Sequence, residues 1–348
     1  MVSVSDCIAV YGATGHTGRF VVQHLRRRGL SVVAVGRSAS RLADTVPAGV
    51  RGRLAGSDDP ASLERAFEAC AVVINCAGPF LDTAAPVARA ALRAGCHYID
   101  VTAEQASARA SFAEFDTPAR QAGRVVIPAA AFYGGLADLL ASALASEGHI
   151  DEITVAIALN RWWPTAGTRK TGARNTVPRV VVTDGSLAPL VPSPEVPDWL
   201  FSSPLGRQAM IELPFSEVIT LSRHLNVGKI RSLLNRSALD DIRDPSTPPP
   251  TATDDDGRSA QRFEMVVRVL QDGRTRTAGV SGRDIYAVTA PIVTEAALRL
   301  LAPSYRLSGA LALAQAVDPL ELLASLEGSA LHLFGDRLPG RDASSGTL

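Results

Sequence analysis

Gly12-Ala13-Thr14-Gly15-His16-Thr17-Gly18 is the stretch whose residue types and spacing most directly imply chemistry. It follows an apolar run at Cys7–Tyr11 and opens a helical pattern at Gly15–Arg28. Glycines at a strand–helix junction let the backbone turn sharply and approach a pyrophosphate. The helix N-terminus then offers free amides and positive potential to the anion. The spacing here is G-x-x-G-x-x-G, a variant of the dinucleotide fingerprint G-x-G-x-x-G. The plainer alternative is a structural turn with no ligand.

The second apolar run ends Val35-Gly36-Arg37-Ser38. A site for NAD places an acid here to hold the ribose 2′-hydroxyl. Its absence leaves room for a 2′-phosphate, which Arg37 and Ser38 would hold, so the sequence predicts NADP(H). Arg41 and Arg19 are weaker candidates, because only Lys170 and Lys229 among 35 basic residues are not arginine. Asp58, after the third run, reaches toward the adenine side, and its neighbour Asp59 reads as a helix cap before Pro60. Cys76-Ala77-Gly78-Pro79-Phe80 follows the fourth run. Its small residues would let the backbone lie against the cofactor, with Phe80 as a wall. Thr102, Glu104, Phe132 and Tyr133 follow the fifth and sixth runs at the same edge. A reductase needs a proton donor beside the hydride acceptor. Tyr133 and Glu104 are the first candidates and Tyr286 the third, with packing or capping as the competing role for each. No Tyr-x-x-x-Lys pair occurs.

Positioning these residues requires a particular scaffold. Six apolar runs between Cys7 and Ile127 alternate with helical patterns. Such alternation predicts an α/β fold, an N-terminal doubly wound Rossmann domain, at residues 1–148. After it the texture changes. Glu152–Leu159 and Val177–Thr183 read as strands, Ile211–Leu221 as containing one, and Asp272-Gly273 as a hairpin turn between Phe263–Gln271 and Arg274–Ser281. A second α+β domain on a mixed or antiparallel sheet is expected at 149–285, for substrate binding and dimerisation. Helices within 286–334 are expected to pack back on the first domain, and 335–348 to be a disordered tail. Asp244–Ser259, with Pro248-Pro249-Pro250 and Asp254-Asp255-Asp256, reads as an exposed mobile loop.

Arg161-Trp162-Trp163 and the polar stretch Thr165–Thr176 follow a strand. They are candidates to line a substrate cleft, with Arg169 or Lys170 holding a carboxylate or phosphate, or to form a solvated loop.

The 348 residues are 46% hydrophobic and 20% charged, with equal numbers of acids and bases. Neutrality argues against a nucleic-acid binder or a membrane-surface protein. The four cysteines, Cys7, Cys70, Cys76 and Cys96, show no metal spacing and read as reduced buried thiols. No basic stretch precedes the first strand, so the expectation is a cytoplasmic protein without a secretory leader. A small-molecule substrate and no metal are expected, with a homodimer as an option.

GATGHTGR, VVINCAGPF and HYIDVTAE together resemble the saccharopine dehydrogenase-like oxidoreductases, which include saccharopine reductases and trans-acting enoyl reductases. The likeness is strongest over residues 7–142 and thin at Pro214–Leu225 and Asp284–Leu301. It implies an NAD(P)-dependent reductase with a mixed-sheet domain inserted before the final helices, acting on a C=N or C=C bond, or on C=O. One departure stands at Pro128–Gly135, where the family tends to carry a Gly-Phe-Asp-like turn. Tyr133 occupies the place of that acid, and Asp138 matches a later family aspartate. Two alternatives stay open. One is a non-catalytic NADP-binding regulator or redox sensor. The other is an enoyl reductase acting on a carrier-bound acyl chain.

Overall fold

The computed structural model describes residues 7–191, 193 and 196–338. Residues 1–6, expected to lead straight into the first strand, and 339–348, most of the expected tail, lie outside the described residues. The first sheet contains β1 (Cys7–Tyr11), β2 (Ser31–Gly36), β3 (Arg51–Leu54), β4 (Val72–Asn75), β5 (His97–Asp100) and β6 (Val125–Ile127). Between them run α1 (His16–Arg27), α2 (Ala39–Thr45), α3 (Pro60–Phe67), α4 (Phe80–Arg93) and α5 (Gln105–Ala122). The strand order is β3-β2-β1-β4-β5-β6 with every pair parallel. That is the doubly wound order, with its switch point between β1 and β4.

The central strands β1, β2 and β4 are almost wholly apolar because both faces are covered, whereas the edge strand β3 is largely exposed. In β1, Ile8 and Val10 enter one core cluster, while Cys7, Ala9 and Tyr11 enter the other. Helix α1 buries Val21, Val22 and Leu25, a stripe at helical spacing. Asp59 caps α3 by accepting from Ser62 N, with Pro60 in the first turn, as the sequence predicts.

A π-helical turn at Phe132–Leu136 leads into α6 (Ala137–Leu144) and out of the first sheet. The second unit begins with β7 (Ile150–Leu159), α7 (Ala166–Arg174), β8 (Val180–Thr183) and β9 (Ser186–Pro189). It continues with β10 (Trp199–Leu200), β11 (Arg207–Gln208), β12 (Met210–Glu212), α8 (Glu217–His224), β13 (Val227–Asn235) and α9 (Arg236–Arg243). The hairpin is β14 (Arg262–Gln271) and β15 (Arg274–Arg283), turning at Asp272-Gly273. The path of the second sheet is β17-β15-β14-β7-β13-β8-β9, where β17 is the last strand of the chain (Leu331–Gly335), with β12 also pairing β13. It is mixed, because β7 and β13 are parallel and the long excursion between them provides the crossover such a pair needs.

The chain then forms α10 (Thr289–Leu300), β16 (Gly309–Ala310), α11 (Leu313–Ala316), α12 (Pro319–Leu326) and β17 (Leu331–Gly335). Helix α10 packs on α1, and β16 adds a seventh parallel strand beside β6.

Three expectations need correction. The segment 286–334 is not helical to its end, since β17 crosses back to pair with β15 in the second sheet. Its alternate apolar residues Leu331 and Leu333 are buried there, a period-2 pattern too short to stand out. Gly335, placed at the head of the disordered tail, closes that strand, and Asp336 accepts from Thr277 N at 2.8 Å. Ile211–Leu221 contains a strand as expected, in its first residues, and α8 follows from Glu217. The loop 244–259 is not merely solvated. Asp254 accepts from the amides of Asp256 and Arg258 and pairs with Arg283, while Asp256 pairs with Arg27 on α1 at 2.8 Å. Its acids organise the turn and tie it to the first domain.

Asp138 and His224 meet across the domains. Asp138 is fully buried in α6 and lies 2.7 Å from His224 Nε2 in the last turn of α8. Its other oxygen accepts from Ala314 N at 2.8 Å, joining α6, α8 and α11. Among the described residues no helix is long and apolar enough to cross a membrane.

His97 carries a pH dependence. Its Nδ1 accepts from Val125 N at 3.1 Å, which requires the neutral ring. Burial, with Arg124 nearby, pulls its pKa down to about 4. Unfolding releases the ring to its ordinary value, about 6.5. The unfolded chain therefore binds more protons between those values, and this contribution to stability is lost as pH falls from about 6.5 to about 4. Asp100 runs the other way, because burial raises it to about 6, so its contribution declines as pH rises through that value. Replacing His97 with Asn keeps an acceptor for Val125 and removes the titration. His97→Asn is expected to match wild type at neutral pH and to gain about 2 kcal/mol relative to it near pH 4. Urea unfolding at the two pH values reads this directly. A constant difference would rule out His97 as the source.

Candidate functional site

The loops after β1, β4, β5 and β6 open at one edge of the parallel sheet, and α7 with residues around Phe215 and Tyr286 covers them. Between lies a cleft of about 720 Å³, within the range typical of small-molecule sites. It runs from Arg37, Ser38 and Arg41 past Gly12–Thr17 and Cys76–Gly78 to Phe132, Tyr133 and Trp162.

The glycine loop is built by close approach. Gly12 has φ +80°, and a Cβ there would stand 2.9 Å from the backbone nitrogen of Ala77. A Cβ on Gly18 would stand 2.2 Å from the carbonyl oxygen of Gly12. Both glycines therefore let β1, α1 and the loop after β4 converge. Helix α1 starts after Gly15 with no side-chain cap and no acid in its first turn, so its first amides are open to an anion. These features fit a dinucleotide pyrophosphate.

At the β2 end, Arg37 is exposed and enters no ion pair among the described residues. Ser38 Oγ accepts from Arg41 N at 3.3 Å, capping α2. Arg41 reaches back to Thr14 O at 3.4 Å. Asp58 lines a neighbouring depression beside Arg37 and folds its carboxylate over Gly56.

Deeper in, Asn75 Oδ1 accepts from Ala77 N at 2.9 Å and shapes the loop that carries Cys76 and Gly78. Glu104 is buried, and its carboxylate accepts from Phe80 N at 2.7 Å and Leu81 N at 3.3 Å. It thus fastens the start of α4, while Thr102 Oγ1 accepts from Glu104 N at 3.0 Å. Burial raises the Glu104 pKa against the lowering effect of those amides. Asp100 accepts from Thr102 N, Ala129 N and the Tyr98 hydroxyl, holding the loops after β5 and β6 in place.

Aromatic rings wall the inner chamber. Tyr133 stacks on Phe215 with centroids 4.1 Å apart, and Trp162 lies 6.1 Å from each. The Tyr133 hydroxyl is buried without a hydrogen-bond partner, and burial pushes its pKa well above the usual tyrosine value. The Tyr286 hydroxyl accepts from Trp162 Nε1 at 3.0 Å and lies 2.9 Å from Thr168 Oγ1. Its ring meets His16 edge-on. Burial lowers the His16 pKa.

The fold thus gathers in one cleft Gly12, Thr14, Gly15, His16, Thr17, Arg37, Ser38, Cys76, Ala77, Gly78, Phe80, Thr102, Glu104, Tyr133 and Tyr286. Ala13 and Gly18 lie beneath it as packing residues, and Pro79 precedes α4 as its cap position. The stretch Thr165–Thr176 is a helix with its preceding cap, and it faces the cleft with Thr168, Lys170 and Thr171. Arg169 instead donates to Asp244 O and Thr247 O. Sequence reasoning passed over Asp100, although it lies inside the HYIDVTAE motif. It also passed over Phe215 and Arg179, which sit in no motif and reach the cleft only through folding. Among the described residues, no group of three potential ligands forms a metal site.

Residues 8–127 match the saccharopine dehydrogenase NADP binding domain. The chain is 27% identical over 142 residues to a probable mitochondrial saccharopine dehydrogenase-like oxidoreductase of Arabidopsis thaliana, covering 36% of this chain and 31% of that protein. It is 30% identical over 138 residues to a trans-acting enoyl reductase of Mycobacterium bovis, covering 36% and 32%. These matches span only about a third of the relatives' length. Across nearly the whole chain, the fold resembles apo saccharopine dehydrogenase (L-Glu forming) from Saccharomyces cerevisiae. The TM-score is 0.62 at 14% identity, over 95% of this chain and 100% of that one. The architecture is that of an NAD(P)-binding oxidoreductase.

Proposed function

We propose that this chain, whose residues 8–127 form a saccharopine dehydrogenase-like NADP binding domain, is an NADPH-dependent reductase. Its substrate is a small organic molecule with a C=N or C=C bond, or a C=O bond. The carrying observation is the single cleft that joins the glycine loop and Arg37 at one end to the aromatic chamber at the other. NADPH supplies the hydride when bound; the protein supplies position, dryness and a proton.

Each part has a residue. The open amides of α1 hold the pyrophosphate, and Arg37 with Ser38 holds the 2′-phosphate. Asn75 and Glu104 shape the wall against which the reactive end lies, through Ala77 and the start of α4. Phe215 and Trp162, with Tyr133, exclude water. The Tyr133 hydroxyl, protonated and unpartnered, donates to the atom that gains charge as hydride arrives. Tyr286 already shares its hydroxyl with Trp162 and Thr168, so it serves better to orient them. Both oxygens of Glu104 are committed to backbone amides, which favours a positioning role. The regulator reading would suit a cleft blocked beyond the glycine loop. A chamber open past Gly78 supports turnover instead.

The test is a screen of cyclic imines and enoyl compounds for substrate-dependent NADPH oxidation. Tyr133→Phe is expected to lower turnover about a hundredfold and to leave NADPH affinity unchanged. Wild-type turnover in the variant would remove Tyr133 as the donor. Tight NADPH binding with no oxidation by any compound would favour the regulator.

A further inference from the structure

The cleft is lined by four cations, Arg37, Arg41, Lys170 and Arg179. Glu104 is the only carboxylate among its lining residues, and amides occupy both its oxygens. Arg37 and Arg41 stand at the nucleotide end, whereas Arg179 stands in the aromatic chamber. The half-buried Arg179 guanidinium donates through Nη1 to Pro214 O, and its Cζ lies 4.9 Å from the Phe215 ring centroid. It enters no ion pair among the described residues. Glu217, whose charge reaches it through space, is fully buried and accepts from Phe215 N at 2.8 Å. A guanidinium carries five donors, and among the described residues only Nη1 of the Arg179 guanidinium has a hydrogen-bond partner. The Tyr133 hydroxyl, unpartnered and more than nine-tenths buried, is in the same chamber.

We infer that the substrate carries a carboxylate received by Arg179, attached to a flat conjugated body that lies along the wall formed by Tyr133, Trp162 and Phe215. Planar guanidinium over an aromatic face suits a planar carboxylate, which it can bind with two parallel hydrogen bonds. The phosphate-binding features are elsewhere, at the start of α1 and at Arg37, so a second phosphate is the poorer match. A flat acid also engages both groups at once, its carboxylate meeting the free donors of Arg179 and its conjugated heteroatom or carbon lying near the unpartnered Tyr133 hydroxyl. Burial lowers the Arg179 pKa, an effect that a bound anion would reverse. This deepens the reductase reading, since it names the substrate class for the same cleft.

The experiment is calorimetric titration of NADPH-loaded protein with trans-cinnamate and with trans-cinnamamide, its uncharged counterpart. Cinnamate is expected to bind at least about tenfold more tightly. Arg179→Gln is expected to abolish that preference with NADPH affinity unchanged. If the Gln variant no longer holds NADPH and has therefore misfolded, Arg179→Lys decides: preference for the acid must survive but weaken. Equal affinities for acid and amide in wild type, or binding of neither to NADPH-loaded protein, would overturn the inference. So would a preference that persists in Arg179→Gln. A clear acid preference in protein that fails to bind NADPH would leave the anion site standing and sink the cofactor reading alone.

Discussion

Gly18→Ala is expected to lose NADPH binding and about 3 kcal/mol of stability, the upper range for overpacking a tight contact. The added Cβ would lie 2.2 Å from the Gly12 carbonyl oxygen and 2.9 Å from its carbonyl carbon. Both are backbone atoms, so no side chain can swing aside. Relief requires α1 to move away from the loop. That movement would carry its first amides out of reach of the pyrophosphate and disturb the packing of α1 on α10. Gly29 offers the control, because a Cβ there meets nothing within 4 Å. Its φ of +73° strains an alanine by about 1–2 kcal/mol. Gly29→Ala should therefore lose some stability and keep its NADPH affinity. Urea unfolding and nucleotide titration of the two variants separate the effects. Gly18→Ala protein that binds NADPH like wild type would show that the convergence at Gly12 is not what shapes the site.

Arg37→Asp is expected to invert the nucleotide preference by roughly a thousandfold. Arg37 is exposed at the end of β2, lines the cleft and has no competing carboxylate in ion-pairing contact. Its removal deprives the 2′-phosphate of a charge-assisted partner, and the new acid repels that phosphate. The same acid can accept from both hydroxyls of the NADH ribose. Arg41 limits the loss to the extent that it can leave Thr14 O and reach the phosphate. Titrating wild type and variant with NADPH and NADH at fixed ionic strength gives four affinities. Unchanged ratios would show that the 2′-phosphate lies elsewhere. Failure of wild type to bind either nucleotide would sink the reductase proposal at its base.

The first domain was legible because its signals are local. Apolar runs of strand length, and Asp59-Pro60 ahead of a helix, each report on a few adjacent residues. A strand buried on both faces is apolar at nearly every position, as β1 is throughout and β4 is up to Asn75. The glycine motif was likewise readable, since a turn that tight leaves little choice of residue. The resemblance carried by three N-terminal motifs pointed to the same domain.

Contacts distant in sequence decided the rest. Nothing near Glu104 announces that its carboxylate will meet the amides of Phe80 and Leu81, 24 and 23 residues away. Burial beside those amides fixes it as a fastening for α4, which weakens it as a proton donor. Folding sets His224 against Asp138 at a separation of 86 residues. β17 enters the second sheet through backbone pairing with β15, a partnership that side-chain pattern does not encode. Arg179, Trp162 and Phe215 belong to three separate segments of the second unit, and only its folding, with Tyr133 of the first unit set against it, makes them one chamber. The sequence by itself determined the nucleotide-binding half, because strand burial and a tight phosphate turn constrain residue type locally. Only the tertiary structure decided what faces the reacting end, because burial, counter-charge and hydrogen-bond vacancy are properties of the assembled cleft.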